Sequence, residues 1–196
     1  MARPDMAEVQ TGVITEAETA SATLEANSNA MQMLFDTIAK FDIEERDVQT
    51  TGVNLSPRYA QRTRNGPQRI EGYRAENRVR IRVRDLARLG KLLDALVTQG
   101  ANTLHGIQFG VTSPQPLNDQ ARRAAVADAQ HKAALYAEAT GVTLGRVMSL
   151  REMQGGILPP RPPIARTMAA EAAVPIALGE LTFTIWVTIS YELVKP

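Results

Sequence analysis

Residues 70–84 read Ile-Glu-Gly-Tyr-Arg-Ala-Glu-Asn-Arg-Val-Arg-Ile-Arg-Val-Arg, and from Arg78 onward arginine alternates strictly with valine or isoleucine. A period of two sends successive side chains to opposite faces of a strand. Val79, Ile81 and Val83 therefore share one face, and Arg78, Arg80, Arg82 and Arg84 share the other. A strand with one apolar and one polar face belongs in an antiparallel sheet solvated on one side; a parallel sheet would show continuous apolar runs. Upstream, 58–69 is a polar segment holding Asn65-Gly66-Pro67, a turn signal. Before it, 47–56 reads as a strand closed by Pro57. The two strands are predicted to form a long antiparallel hairpin around a flexible loop at 58–69.

Similar patterns extend to both ends. Residues 6–18 read as a strand, with Val9, Thr11, Val13 and Thr15 at alternate positions. Residues 19–40 read as a helix whose apolar face carries Ala20, Leu24, Met31, Leu34, Phe35 and Ile38. Asp85 is placed to cap a helix over 86–99, and Gly100 suits its C-terminal end. A strand follows at 103–111. Ser113-Pro114-Gln115-Pro116 then breaks the chain before a third helix, 117–140, which holds nine alanines and stops at Gly141. A fifth strand lies within 142–152. Residues 155–175 contain five prolines and two glycines and read as an extended loop. Its two overlapping P-x-x-P spacings, Pro159/Pro162 and Pro160/Pro163, fit a stiff connector better than an SH3 ligand. Residues 181–193 form the most regular strand, with Leu181, Phe183, Ile185, Val187, Ile189, Tyr191 and Leu193 on one side. Thr182, Thr184, Trp186, Thr188, Ser190 and Glu192 lie on the other. The order β-α-β-β-α-β-α-β-β implies a single α+β domain over 1–196, with a mainly antiparallel sheet and three helices packed on one face.

Composition narrows the chemistry. The chain has 196 residues, 44% hydrophobic and 22% charged, enough for a substantial core. It has no cysteine, which excludes disulfides, thiolate metal sites and a cysteine nucleophile. Its two histidines, His105 and His131, are too few for a multi-histidine metal site. No apolar run reaches the roughly 18 residues of a membrane-spanning helix. Charge is segregated: residues 1–57 carry ten acids and three bases (−7), and 58–88 carry ten arginines and three acids (+7), within a net charge of +1. Such blocks can neutralise each other inside the fold or between subunits. Of the 22 basic residues 18 are arginine, the residue suited to fixed bidentate ion pairs.

Several segments, taken in order, resemble the SIMPL-domain family of bacterial envelope proteins. They include Arg3-Pro4-Asp5-Met6-Ala7, Ile43-Glu44-Glu45-Arg46-Asp47-Val48-Gln49-Thr50, Gly72-Tyr73 and Val83-Arg84-Asp85-Leu86. Leu89-Gly90-Lys91-Leu92-Leu93-Asp94, Ala124-Ala125-Val126-Ala127-Asp128-Ala129 and Gly141-Val142-Thr143-Leu144-Gly145-Arg146-Val147 follow. Pro163-Ile164-Ala165-Arg166 and Val174-Pro175-Ile176-Ala177-Leu178-Gly179-Glu180 complete the set. The resemblance implies a periplasmic or envelope-associated protein, linked to envelope and oxidative stress, with no established catalytic site. It also implies a signal peptide and a Val/Gly-rich strand ahead of the Pro-Asp-x-Ala motif. Neither precedes Arg3 here, so a domain lacking its first strand is the expectation.

Three constellations bear on function. Arg78, Arg80, Arg82 and Arg84 project from one strand face about 7 Å apart. They form either a solvated face paired with carboxylates, a subunit interface, or a polyanion-binding stripe. Only Tyr59 and Tyr73 interleave the basic block, so a nucleic-acid partner is not expected. Trp186, the single tryptophan, stands among threonines. It suits an interface or arginine stacking, the latter if both strands share a sheet, or partial burial under the proline-rich loop. The acid pairs Glu16/Glu18 and Glu44/Glu45, and each histidine, lack a converging partner. No catalytic residue, cofactor or metal ligand is nominated. The expected role is a non-enzymatic, homo-oligomeric scaffold larger than a dimer, with a polyanion-binding module or an enzyme of unrecognised site as the alternatives.

Overall fold

The hairpin predicted around the arginine strand anchors a four-stranded antiparallel sheet. The computed structural model describes residues 1–60, 69–158 and 176–195. The strands are β1 (Met6–Ala17), β2 (Val48–Tyr59), β3 (Ile70–Val83), β4 (Thr103–Gly110), β5 (Thr143–Leu158) and β6 (Thr182–Val194). The helices are α1 (Ala20–Ala39), α2 (Leu89–Thr98) and α3 (Gln115–Thr140). The α+β class, the element order and the antiparallel pairing are as the sequence implied. The strands divide into two sheets, however: β2-β3-β1-β4, and a hairpin of β5 and β6. The expectation of one sheet beneath all three helices is corrected accordingly. Two compact units result, the larger containing residues 5–110 and 176–177, the other containing 1–4, 111–158 and 178–195 among the described residues.

In the larger unit, β1 pairs with β3 in the register Ala7–Val83, Val9–Ile81 and Thr11–Val79. Alternation sends these six residues inward, and all are buried. Met31, Leu34 and Ile38 of α1 and Leu89, Leu92, Leu93 and Leu96 of α2 close over them as one core. Each fully buried aliphatic side chain contributes about 1.5–3 kcal/mol relative to exposure. The buried stripe of α1 is not wholly apolar. Thr23 and Asn27 are buried, while Leu24 is 39% exposed. The polar pair is there for the backbone: the Thr23 hydroxyl donates to Thr19 O (2.7 Å), and Asn27 Nδ2 donates to Val13 O (3.0 Å). Where β4 stops pairing at Gly12–Thr103, Asn102 stands in for a strand. Its Oδ1 accepts from Ile14 N (2.8 Å) and its Nδ2 donates to Ile14 O (2.7 Å). Buried or half-buried backbone groups are thus matched by side-chain amides.

Local signals set the boundaries. Thr19 caps α1, its Oγ1 accepting from Ala22 N at 3.2 Å. Asp85 caps a 3-10 turn, Leu86–Arg88, that leads into α2. Gly141 ends α3 in the left-handed region at φ 68°, where a side chain is strained. Strand β2 runs on through Tyr59, past the predicted stop at Pro57, and β5 runs to Leu158, into the predicted proline-rich loop. Residues 61–68 and 159–175, the rest of both predicted loops, lie outside the described residues.

The smaller unit is a helix on a ribbon. Strands β5 and β6 pair with Leu150 opposite Ile189, Glu152 opposite Val187 and Met153 opposite Trp186. Opposite residues share a face. Arg122 of α3 binds Glu152, so α3 lies on the face that also holds Ile185, Val187 and Ile189, all half-buried. Ala2 adds a single antiparallel bridge to Leu181.

Candidate functional site

Arg78, Arg80 and Arg82 stand on β3, on the outer face of the four-stranded sheet, and Arg84 follows directly after the strand. The register with β1 places Arg78 beside Gly12, Arg80 beside Gln10 and Arg82 beside Glu8. Each guanidinium meets a carboxylate. Arg78 Nε donates to Glu76 Oε1 at 2.6 Å. Arg80 Nε lies 2.9 Å from Glu8 Oε1. Arg84 donates twice to Asp47, at 2.7 and 2.8 Å, and Arg82 lies 3.8 Å from the same carboxylate. Nearby, Arg58 pairs with Glu16 at 2.8 Å and Arg88 with Asp42 at 2.8 Å. Acids of the first charge block therefore meet bases of the second within one chain. The ladder's arginine side chains remain 40–53% exposed. A polyanion would have to compete with carboxylates already in place.

Asp47 is the centre of this arrangement. Its side chain is only 4% exposed, and it takes two aligned hydrogen bonds from Arg84. Those bonds, opposed by desolvation and helped by the charges of Arg84, Arg82 and Arg46, hold its carboxyl below the ordinary value of 3.8. Glu76 is likewise held below 4.5, chiefly by its hydrogen bond from Arg78. The sequence reading did not single out Asp47. The hairpin register contained the signal, because Val48 opposite Ile81 puts the preceding residue beside Arg82.

Beside Asp47 lies a cleft of about 160 Å³ whose charged lining is Arg82, Arg84 and Arg88 against Asp42, Glu44, Asp47 and Asp85. Arg88 also stacks over Phe41, 5.3 Å from the ring centre. Opposed charges fill this cleft, and no nucleophile with an adjacent base lines it. A second cleft, about 340 Å³, lies between α2 and β4 and is lined mainly by Leu93, Leu96, Val97, Ala101, Leu104 and Ile107. Among the described residues no three carboxylates or histidines converge to hold a metal ion. His105 sits 3.7 Å from Glu76, and His131 is exposed on α3. Glu44 pairs with Arg46 at 2.8 Å rather than with a histidine or lysine.

Trp186 belongs to the hairpin and the arginines to the four-stranded sheet, so the shared face that stacking required does not exist. On β6, Trp186 points away from α3 beside its cross-strand neighbour Met153, and each is 62% exposed.

The sequence profile of the SIMPL family, described as a protein of unknown function (DUF541), matches residues 1–191. The chain belongs to the SIMPL family. The 26 kDa periplasmic immunogenic protein of Brucella melitensis is 38% identical to this SIMPL chain over 203 aligned positions, covering 98% of it and 80% of the relative. The protein of the same name from Brucella abortus has the same identity and coverage. A more distant SIMPL relative, the uncharacterized protein YggE of Escherichia coli K12, is 28% identical over 90% of this chain and 70% of its own length. No helix among the described residues of the SIMPL chain is long and apolar enough to cross a membrane.

Proposed function

We propose that this SIMPL protein is a non-enzymatic component of the periplasm that works as a homo-oligomeric scaffold larger than a dimer. The observation that carries the reading is the surface of the smaller unit. Helix α3 runs for 26 residues and buries only Ala137, while Leu135 and Tyr136 on it are 53% and 67% exposed. The ribbon's other face exposes Met153 and Trp186. A two-stranded ribbon is marginal by itself and gains stability from further packing. Two distinct apolar patches can make two different contacts, which a closed assembly beyond a dimer requires. The names of the Brucella relatives support the compartment, and the family resemblance supports a part in envelope or oxidative stress defence.

Sedimentation velocity of the wild-type chain and of Trp186→Ala tests the assembly. The wild type is expected to sediment as one species larger than a dimer and the variant as smaller species. Identical monomeric profiles would refute the scaffold. Osmotic-shock fractionation of the native host tests the compartment, with the chain expected in the shock fluid and not with cytoplasmic markers.

A further inference from the structure

The sheet edges of this molecule are not equally protected. An exposed edge strand invites another strand, and proteins blunt it with bulges, charges, proline or short length. Strand β2 has an extra residue, Thr51, between its pairings Thr50–Val79 and Gly52–Arg78, and it carries Pro57. Strand β4 is only eight residues long and has an extra residue at His105. Strand β5 absorbs all three irregularities of its pairing with β6, because each skips one more residue on β5 than on β6, and it carries Arg146, Arg151 and Glu152. Strand β6 has none of these devices. It is 13 residues long, unbulged, without proline or glycine, and Glu192 is its single charge.

The direction of its open hydrogen bonds can be read from Ala2. Ala2 N donates to Leu181 O at 2.9 Å and Leu181 N donates to Ala2 O at 2.8 Å. Leu181 therefore points its backbone groups away from β5. In a regular strand the direction alternates, so Phe183, Ile185, Val187, Ile189, Tyr191 and Leu193 point theirs the same way. Among the described residues no strand lies along that edge beyond Ala2.

We propose that β6 pairs antiparallel with β6 of a second copy of this chain, across a two-fold axis at Thr188. The proposal rests on the oligomer reading above and names one of its contacts. The register follows from the stretch that is open, since full overlap of 183–193 with itself places 183 opposite 193, 185 opposite 191 and 187 opposite 189. Apolar residues then meet apolar residues on the α3 side. On the other side Trp186 faces Ser190, and each Glu192 faces Thr184 rather than its own copy. The product is a continuous sheet β5-β6-β6-β5, in which the six edge residues of each strand gain partners. A two-fold contact ends at a pair; the α3 patch is left to join pairs into the larger assembly.

The chain has no cysteine, so single cysteines report the register cleanly. At the axis Thr188 meets its own copy as a non-hydrogen-bonded pair, with Cα atoms about 4.5 Å apart, within disulfide range. With oxidised glutathione, Thr188→Cys is expected to form an intermolecular disulfide, two thiols giving up two protons and two electrons to yield two reduced glutathione molecules. Thr184→Cys stands eight residues from its own copy, about 27 Å at roughly 3.4 Å per residue, and is expected to stay uncrosslinked. Thr188→Lys, at an exposed position, is expected to weaken association by setting two ammonium groups face to face, with salt restoring it. Rapid crosslinking of Thr188→Cys alone supports the proposal. Equal crosslinking of both variants, or none in a chain that light scattering shows to be oligomeric, overturns this contact and leaves the scaffold standing. A monomeric wild type overturns both.

Discussion

The two units of this chain use their apolar residues in opposite ways. In the four-stranded unit, two helices cover one sheet face, and Val9, Leu34, Ile81, Leu92 and Leu96 are at most 1% exposed. Its outer face is occupied by arginine–carboxylate pairs, and both of its edges are interrupted by a bulge. In the helix-and-ribbon unit, a longer helix covers less. Met153, Trp186, Leu135 and Tyr136 are all more than half exposed, and one edge is regular and, among the described residues, open beyond Ala2. The first unit buries its apolar face in its own core. The second exposes apolar surface and, on the proposal above, backbone groups that another chain would pair. The contrast is what the proposed assembly rests on: one part of the chain covers its apolar face and the other leaves it exposed.

The largest expected effect lies inside the self-sufficient unit. Leu96→Ala removes a side chain that is 1% exposed and should cost about 2–5 kcal/mol in urea unfolding followed by circular dichroism. A loss below about 1 kcal/mol would show that this core is not close-packed. Gly12→Ala should cost somewhat less, about 1–3 kcal/mol, because its new Cβ would fall 2.3 Å from Asn77 O on the neighbouring strand.

Asp47→Asn should cost about 2 kcal/mol at neutral pH, the scale of hydrogen bonds to a charged group. The pH dependence has a definite sign. The folded-state carboxyl of Asp47 titrates below 3.8, so between that lowered value and 3.8 the unfolded chain binds more protons than the folded one. Stability from this pair is complete above that range and is lost as pH falls through it. Glu76 adds the same sign below 4.5. Urea midpoints for wild type and Asp47→Asn should therefore converge as pH falls below 3.8 through that lowered range. Midpoints that stay parallel into acid would contradict the pairing. The smallest effect on folding should come from Trp186→Ala, within about 0.5 kcal/mol at concentrations where subunits are separate. Its effect should appear in assembly instead, which is the contrast between the units in one substitution.

Much of this contrast was legible in the residues. The alternation of Arg78 to Arg84 fixed both faces of β3, and adjacency with the turn at Asn65-Gly66-Pro67 gave the β2–β3 hairpin. What periodicity could not supply was which strands share a sheet. That choice depends on pairing between distant segments, and the patterns of 142–152 and 181–193 suit one sheet or two equally well. Helix α1 misled for a related reason. Thr23 and Asn27 are inside because they satisfy backbone groups, Thr23 at Thr19 O before the helix and Asn27 at Val13 O of β1, a demand invisible in the apolar spacing of α1. In the sequence alone the arginine ladder leaves three outcomes open. Its partners Glu8 and Asp47 lie far from it in sequence, and only the strand register brings them together. Trp186 was visible as a lone aromatic on a polar side, but its separation from the arginines required the sheet assignment.

Light scattering coupled to size-exclusion chromatography, at micromolar concentration and at low and high salt, is the most direct test of the division between a self-sufficient unit and an assembling one. The wild-type chain is expected to elute with a mass of more than twice 21.4 kDa. That mass should be nearly the same at both salt concentrations, because the charged blocks are largely paired within each subunit and the association uses the ribbon. A mass of 21.4 kDa at low salt would contradict the account outright. An assembly that dissolves in high salt would transfer its cause from the ribbon to the arginine face.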